Sequence, residues 1–262
     1  MQEVARDKSF SPQVRMGCLD IFLTRMLAER PELVNPISLA RMCHQAATIH
    51  KEQRGHSQGS MPEVLALCEK LSPLIAKHIT SFTAQGVSNT AWAFAVHVPE
   101  LVHSVASAEY LERERYSDIT WLQLYQALIA AGVAPTDPDR DERYSRILSG
   151  YEPSEPSRFE NSVGVALRTA LSSTRYSIEY GRIFAGIVTD WVVEFGGRKA
   201  VVECDGTDYH TTQGPDAGRR LGKDILQDRI FARFGYEAIH IDSREWGQAP
   251  DRVALLRERL GI

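Results

Sequence analysis

Three carboxylates stand where the chain otherwise buries valine. The stretch Val188–His210, VTDWVVEFGGRKAVVECDGTDYH, carries Asp190, Glu203 and Asp205 inside Val-rich, aromatic runs. Such runs predict strands. Phe195-Gly196-Gly197-Arg198 between them predicts a two-residue hairpin, because both turn positions need φ > 0 and glycine supplies it. That turn sets Phe195 opposite Arg198, Val192 opposite Val201, Asp190 opposite Glu203 and Val188 opposite Asp205. Alternation then gathers Asp190, Glu203 and Asp205 on one face, with Trp191, Val193, Val202 and Cys204 on the other. Like charges opposed on a sheet destabilise it, and sunk among valines they resist ionising together. A divalent cation offsets that cost: carboxylate oxygens are the ligands Mg²⁺ and Mn²⁺ prefer, and a cation with open water positions activates water and stabilises phosphate charge. Asp190 and Glu203 are the expected metal ligands. The alternatives are neutralisation by Arg or Lys of the next helix, or a longer turn that slips the register.

Residues after the strand extend the candidate site. Gly206 ends the strand and permits a sharp bend. His210 at its exit is a candidate acid, base or phosphate ligand, or a solvated loop histidine. A helix expected over 219–234 places Lys223 and Gln227 at i and i+4, on one face. Lys223 is read as a charge partner for an attacking water or a phosphate. Arg219, Arg220, Lys223 and Arg229, with Arg233, form a local basic patch able to hold phosphates on an acidic protein; a solvated helix face is the alternative, and the stronger one for Arg229 and Arg233. Glu160 either approaches the site or serves its helix N-terminus.

The elements that must position these residues fall into two blocks. Residues 11 to about 132 read as helix after helix: Ser11-Pro12 opens the first and Pro31 stops it, Asn35-Pro36 opens the second, and Ser60, Ser72 and Thr83–Gln85 punctuate the stretches that follow. SDITWLQLYQALIAAG closes on Gly132. An apolar-small-aromatic patch recurs near Leu39-Ala40, Ala91-Trp92 and Trp121, so a degenerate helix-pair array and a plain bundle are both open. One short helix is expected at 140–148, then a linker at Gly150–Ser157, giving a helical domain over 1–150 and a second domain over 151–262. There the order is helix (Phe159, Val163, Leu167 and Ala170 on one side), three strands, helix, strand, helix: an α/β sandwich.

Composition bounds the rest. The 262 residues are 43% hydrophobic and 24% charged, ordinary for a globular protein with a real core. No run of about 18 apolar residues occurs, so no membrane span is expected, and MQEVARDKSF has neither an apolar core nor the acid-poor character of a targeting peptide. Cys18, Cys43, Cys68 and Cys204 are scattered, read as reduced and mostly buried in an intracellular setting, cytoplasmic by default; an organelle or delivery into a host cell stays open. His44, His50 and His56 recur every six residues, on different helix faces, and are read as solvated rather than as zinc ligands. The net charge of −4 counts against wholesale nucleic-acid binding and leaves only local patches.

Asp190, then Glu203-Cys204-Asp205-Gly206 with His210, then a helix ending in Gly235-Tyr236 before a strand and Glu245-Trp246, resembles a RAP domain and the wider PD-(D/E)XK nuclease superfamily. The likeness covers residues 158–262, and GVSNTAWAFA resembles the helical repeats that precede RAP domains. It implies a restriction-endonuclease-like α/β domain with a mixed sheet, metal at Asp190 and Glu203, Asp205 and His210 lining the site, no organic cofactor, and a nucleic-acid partner, RNA more than DNA. The chain departs from the superfamily at Asp205, where a Lys is usual two residues after the acidic ligand, and at Gln227, with Lys223 one turn earlier. Three functions follow: a metal-dependent endonuclease, a non-catalytic RNA-binding module, or a helical protein-interaction scaffold.

Overall fold

The computed structural model describes residues 11–31, 34–53, 62–97, 99–104, 116–134, 142–206 and 222–262. The chain divides into two compact units, Met1–Pro135 and Thr136–Ile262. The segment expected as a linker, Gly150–Ser157, therefore belongs to the second unit. No helix among the described residues is long and apolar enough to cross a membrane.

The first unit is helical: α1 (Pro12–Glu29), α2 (Pro36–Gln53), α3 (Pro62–His78), α4 (Ala84–His97) and α5 (Asp118–Ala131), with 3₁₀ turns at Ile79–Ser81 and Pro99–Ser104. Side-chain caps fix several starts. Ser11 Oγ accepts from Val14 N, Asn35 Oδ1 from Ser38 N, Thr83 Oγ1 from Gly86 N and Ser117 Oγ from Thr120 N. Gly132 ends α5 in the left-handed region at φ 76°. The initial turns of α2, α4 and α5 lie side by side: a Cβ at Gly86 would sit 3.7 Å from that of Ala40, and Ser88 Oγ donates to Thr120 O at 2.8 Å. A cleft of about 450 Å³ between the starts of α2 and α4 is lined by Asn35, Ile37, Arg41, Gln85 and Asn89. The break expected at Ser72 does not occur: α3 runs through Pro73. Leu71 and Ile75 are fully buried on either side of it, and packing of this kind outweighs a proline's local cost. Ser60 and His56 lie outside the described residues.

The second unit begins with α6 (Glu142–Leu148) and α7 (Arg158–Ala170), then β1 (Tyr176–Tyr180), β2 (Ile183–Phe184), β3 (Ile187–Val188), β4 (Trp191–Phe195), β5 (Arg198–Asp205), α8 (Gly222–Arg233), β6 (Glu237–Asp242), α9 (Ser243–Gln248) and α10 (Arg252–Leu260). Strands β1-β4-β5-β6 form one mixed sheet, antiparallel except for the parallel pair β5–β6; β2 and β3 form a separate hairpin. One face carries the main core, with Val163, Leu167, Trp191, Val193, Val202, Cys204, Ile239 and Ile241 packed with Leu256 and Leu260 of α10. Helix α8 supplies buried Leu226, Ile230 and Phe231; Phe184 stacks edge-on against Phe231, at 5.6 Å between centroids.

Two local expectations fail here. The sequence predicts unbroken strands over 175–184 and 186–195, but each is broken, because Ala185 (φ 53°) and Gly186 (φ 77°) form a tight reversal that pairs Ile183 with Val188. Val188 therefore does not face Asp205. Helix α9 was not foreseen; Asp242 caps it, its carboxylate accepting from Arg244 N and Glu245 N.

Helix α7 approaches the sheet through a glycine. A Cβ at Gly164 would stand 2.3 Å from Trp191 Cζ2, and the indole is held by its N–H donating to Glu160 O at 2.9 Å. Gly17 in α1 has nothing within 4 Å of such a Cβ. Replacing a helical glycine by alanine gains about 1 kcal/mol of helix propensity, whereas overpacking costs about 1–3 kcal/mol. Denaturant melts should accordingly show Gly17→Ala raising the midpoint of its unit and Gly164→Ala lowering that of the other; two shifts of the same sign would contradict this packing.

Candidate metal and phosphodiester site

The Gly-Gly turn forms as the sequence expects. Gly196 and Gly197 have φ of 54° and 80°, and Phe195 pairs with Arg198, Val192 with Val201 and Trp191 with Val202. The ladder stops there. Asp190 sits in the bend just before β4 rather than within it, a correction to its expected place in a strand opposite Glu203. The cause is the β2–β3 excursion, whose neck is closed by Thr189 N donating to Arg182 O at 3.0 Å and by Gly181 N donating to Asp190 O at 3.2 Å. From this neck the Asp190 carboxylate reaches β5: Oδ2 accepts from Cys204 N at 2.6 Å. A side chain thus takes over where a backbone carbonyl would have continued the ladder. On its far side the neck is braced by Pro153, since a Cβ at Gly181 (φ 73°) would lie 2.3 Å from Pro153 Cβ.

Glu203 is the group under greatest electrostatic stress. It is 8% exposed, and its Oε1 has no hydrogen-bond partner among the described residues. Burial first, and then the charge of Asp190, push its pKa up to about 8; Asp205 adds to the rise, while His240 and a backbone hydrogen bond from Asp190 oppose it. Cys204 points to the opposite, apolar side, where burial raises its thiol pKa. Asp205 is buried, and its Oδ2 lies 2.9 Å from His240 Nδ1; His240 Nε2 lies 3.1 Å from Asp228 Oδ1. β5, β6 and α8 are joined through this imidazole.

Of the residues expected at the site, Asp190, Glu203 and Asp205 come together. Gln227 is half-buried on α8, one position before Asp228. Lys223 is in the first turn of α8, and its side chain lies outside the described residues, as do His210, Arg219 and Arg220. Arg229 is half-buried and Arg233 exposed on α8. Glu160 serves the start of α7 in a capping box with Ser157, and its carboxylate also accepts from Tyr180 OH at 3.1 Å. Among the described residues no group of three or more His, Cys, Asp or Glu side chains is placed to hold a metal ion.

His240 and Asp228 were missed. Tyr236-Glu-Ala-Ile-His-Ile-Asp242 alternates, with Ile239 and Ile241 facing the core, so His240 must face the carboxylates' side. What the sequence withholds is the parallel register that sets Glu203 beside His240.

A carboxyl group whose pKa is higher in the folded than in the unfolded chain binds a proton only when folded, between about pH 4.3 and its folded value. Stability therefore falls as pH rises across that window and levels off above about pH 8. In EDTA, Glu203→Gln should remove this slope, so that the variant gains on the wild type by up to about 1.4 kcal/mol per pH unit between pH 5 and 8. Parallel stability curves from urea titrations would show that Glu203 is ionised throughout.

The chain matches no known family model, and no curated protein matches it.

Proposed function

We propose that the second unit is a restriction-endonuclease-like domain that binds nucleic acid, RNA in preference to DNA, and hydrolyses its phosphodiester bonds with a divalent cation at Asp190 and Glu203. The observation that carries this reading is the buried Oε1 of Glu203 beside Asp190, which has no hydrogen-bond partner among the described residues. A buried acceptor left unmatched costs about 1–3 kcal/mol, and an acid whose ionisation is opposed by burial and by a neighbouring carboxylate is a donor that a hard cation relieves. Support also comes from the element order: a helix, an antiparallel set ending in the β4–β5 hairpin, a crossover containing α8, and a return parallel to β5. This order is compatible with the mixed α/β sheet expected from the RAP and PD-(D/E)XK resemblance, with an acid just before one hairpin strand and Glu-Cys-Asp on the other.

Mg²⁺ or Mn²⁺ bound there would supply positive charge to a phosphate and acidify a water molecule. The chain's own residues do the remaining work. Asp190, fixed by Cys204 N–H, and Glu203, fixed on the central strand, hold the cation. Lys223 and His210 are assigned to phosphate and proton handling, Gln227 to orientation of the water, and Arg219, Arg220 and Arg229 to the nucleic-acid backbone. In the helical unit, the cleft with Arg41, Gln85 and Asn89 offers polar side chains suited to unpaired bases.

One observation favours a second reading, a non-catalytic RNA-binding module. The residue two positions after Glu203 is an acid, and its Oδ2 is engaged by His240, so no basic side chain stands at that point of β5. Incubating the protein with single-stranded and duplex RNA and DNA in Mn²⁺, Mg²⁺ or EDTA separates the two. The nuclease reading expects metal-dependent cleavage reduced at least about a hundredfold in Asp190→Asn and in Glu203→Gln. Binding that is unchanged by EDTA and by both substitutions, without cleavage, would establish the module instead.

A further inference from the structure

Two side chains at the turn end of the sheet take no part in holding it together. Arg175 precedes β1, the edge strand, and Tyr176 opens it. Both are exposed, and neither the guanidinium nor the phenol has a partner among the described residues. Tyr180 and Tyr236, by contrast, donate their hydroxyls to Glu160 and Glu194. Arg175 and Tyr176 line a groove of about 410 Å³ together with Glu194, Arg198 and Lys199, at the Gly196-Gly197 turn. A Cβ at either glycine would meet nothing within 4 Å, so the turn leaves the groove open.

Charge in this groove is one-sided. Its acid, Glu194, accepts from Tyr236 OH at 2.7 Å and pairs with Arg182 at 3.5 Å. Arg198 is held by Leu260 O and by Glu237 at 2.9 Å, and lies over the Phe195 ring. Lys199 is exposed, lies 5.5 Å from the centre of the Tyr236 ring, and makes no salt bridge among the described residues. Positive charge beside an exposed aromatic ring suits a phosphodiester backbone with an unstacked base.

We propose that this groove holds a single-stranded segment of nucleic acid, with Arg175 and Lys199 each on a phosphate and a base stacked on Tyr176. The groove deepens the nucleic-acid reading and rests on it, but needs no metal. Ala200, Val202 and Cys204 face the core, so Lys199 and Glu203 share the other side of β5, about 13 Å apart at ~3.3 Å per residue. Stacking on Tyr176 requires a base free of its own partner, which selects single strands over duplexes. An acidic peptide laid along β1 fits less well. It would run past Glu179, paired with Arg182 at 2.5 Å, and charges on an edge strand discourage strand addition.

Fluorescence anisotropy on the full chain in EDTA tests this, with labelled oligouridylate as the unstructured strand and a labelled RNA duplex beside it. The double variant Arg175→Gln, Lys199→Gln should bind oligouridylate roughly tenfold more weakly, and the slope of log K against log salt should fall by about 1.4, or ~0.7 for each phosphate lost. Tyr176→Ala should weaken oligouridylate binding roughly tenfold and leave duplex binding unchanged, while Tyr176→Phe, which keeps the ring, should bind as wild type. An unchanged affinity and slope in the double variant, or equal losses in Tyr176→Phe and Tyr176→Ala, overturns the groove and leaves nucleic-acid binding by the wild type standing. A wild type that binds neither RNA nor DNA overturns both. Labelled oligoglutamate that binds as tightly as the RNA, and is weakened by the same substitutions, assigns the groove to acidic peptides and overturns the proposal. Where a variant lacks native circular dichroism, ultraviolet crosslinking of thiouridine-containing RNA to the wild type decides: a crosslink at Tyr176 supports the groove, and none there overturns it.

Discussion

The second unit is organised around a carboxyl group on a strand that has every other reason to be apolar. Glu203 follows Val201 and Val202 on β5, the strand flanked on both sides within the sheet. Ionised and alone, it would lose most of the hydration that makes a carboxylate tolerable. The surroundings answer in three ways: a backbone N–H from Asp190, the positive end of an imidazole one strand away, and retention of its own proton near neutrality. None of the three fills the second oxygen. A fold that places such a group on a central strand gives up packing energy to keep an unmatched carboxyl oxygen buried.

That constraint explains the irregular chain path around it. A plain meander would have delivered a backbone carbonyl to Cys204 N–H. Instead the chain leaves the sheet after Tyr180, turns at Ala185-Gly186, and returns with the Asp190 carboxylate at that N–H. The excursion packs Phe184 against Phe231, Phe234 and Tyr236. Tyr236 in turn donates to Glu194 and accepts from Arg182. The neck that aims Asp190 is thereby held from the hairpin side by aromatic packing and from the sheet side by a polar network.

Legibility in the sequence followed the range of the physics. The hairpin at Gly196-Gly197 and the helix starts at Ser11 and Asn35 are local, each decided within four residues, and could be read directly; the caps at Ser117 and Ser157 are equally local but were not singled out. The core face of α7 followed from its spacing. Ala185 could not be read, because an alanine at positive φ is tolerated here by what packs around the turn rather than chosen by propensity. Ser72-Pro73 misled for the mirror reason: two deeply buried neighbours hold a helix together where the local signal says stop. His240 was hidden by a long crossover, since parallel register is set by tertiary packing and by nothing in the intervening residues. Asp190 and Glu203 were found as neighbours, although the route by which Asp190 arrives was not.

The contact between Pro153 and Gly181 ties the segment before α7 to the neck that places Asp190. Gly181 carries no side chain, which lets Pro153 lie against it, and its N–H holds the Asp190 carbonyl directly. A side chain at residue 181 would have to displace either Pro153 or the neck, so the seat of the carboxylate at Cys204 N–H depends on a missing Cβ nine residues earlier.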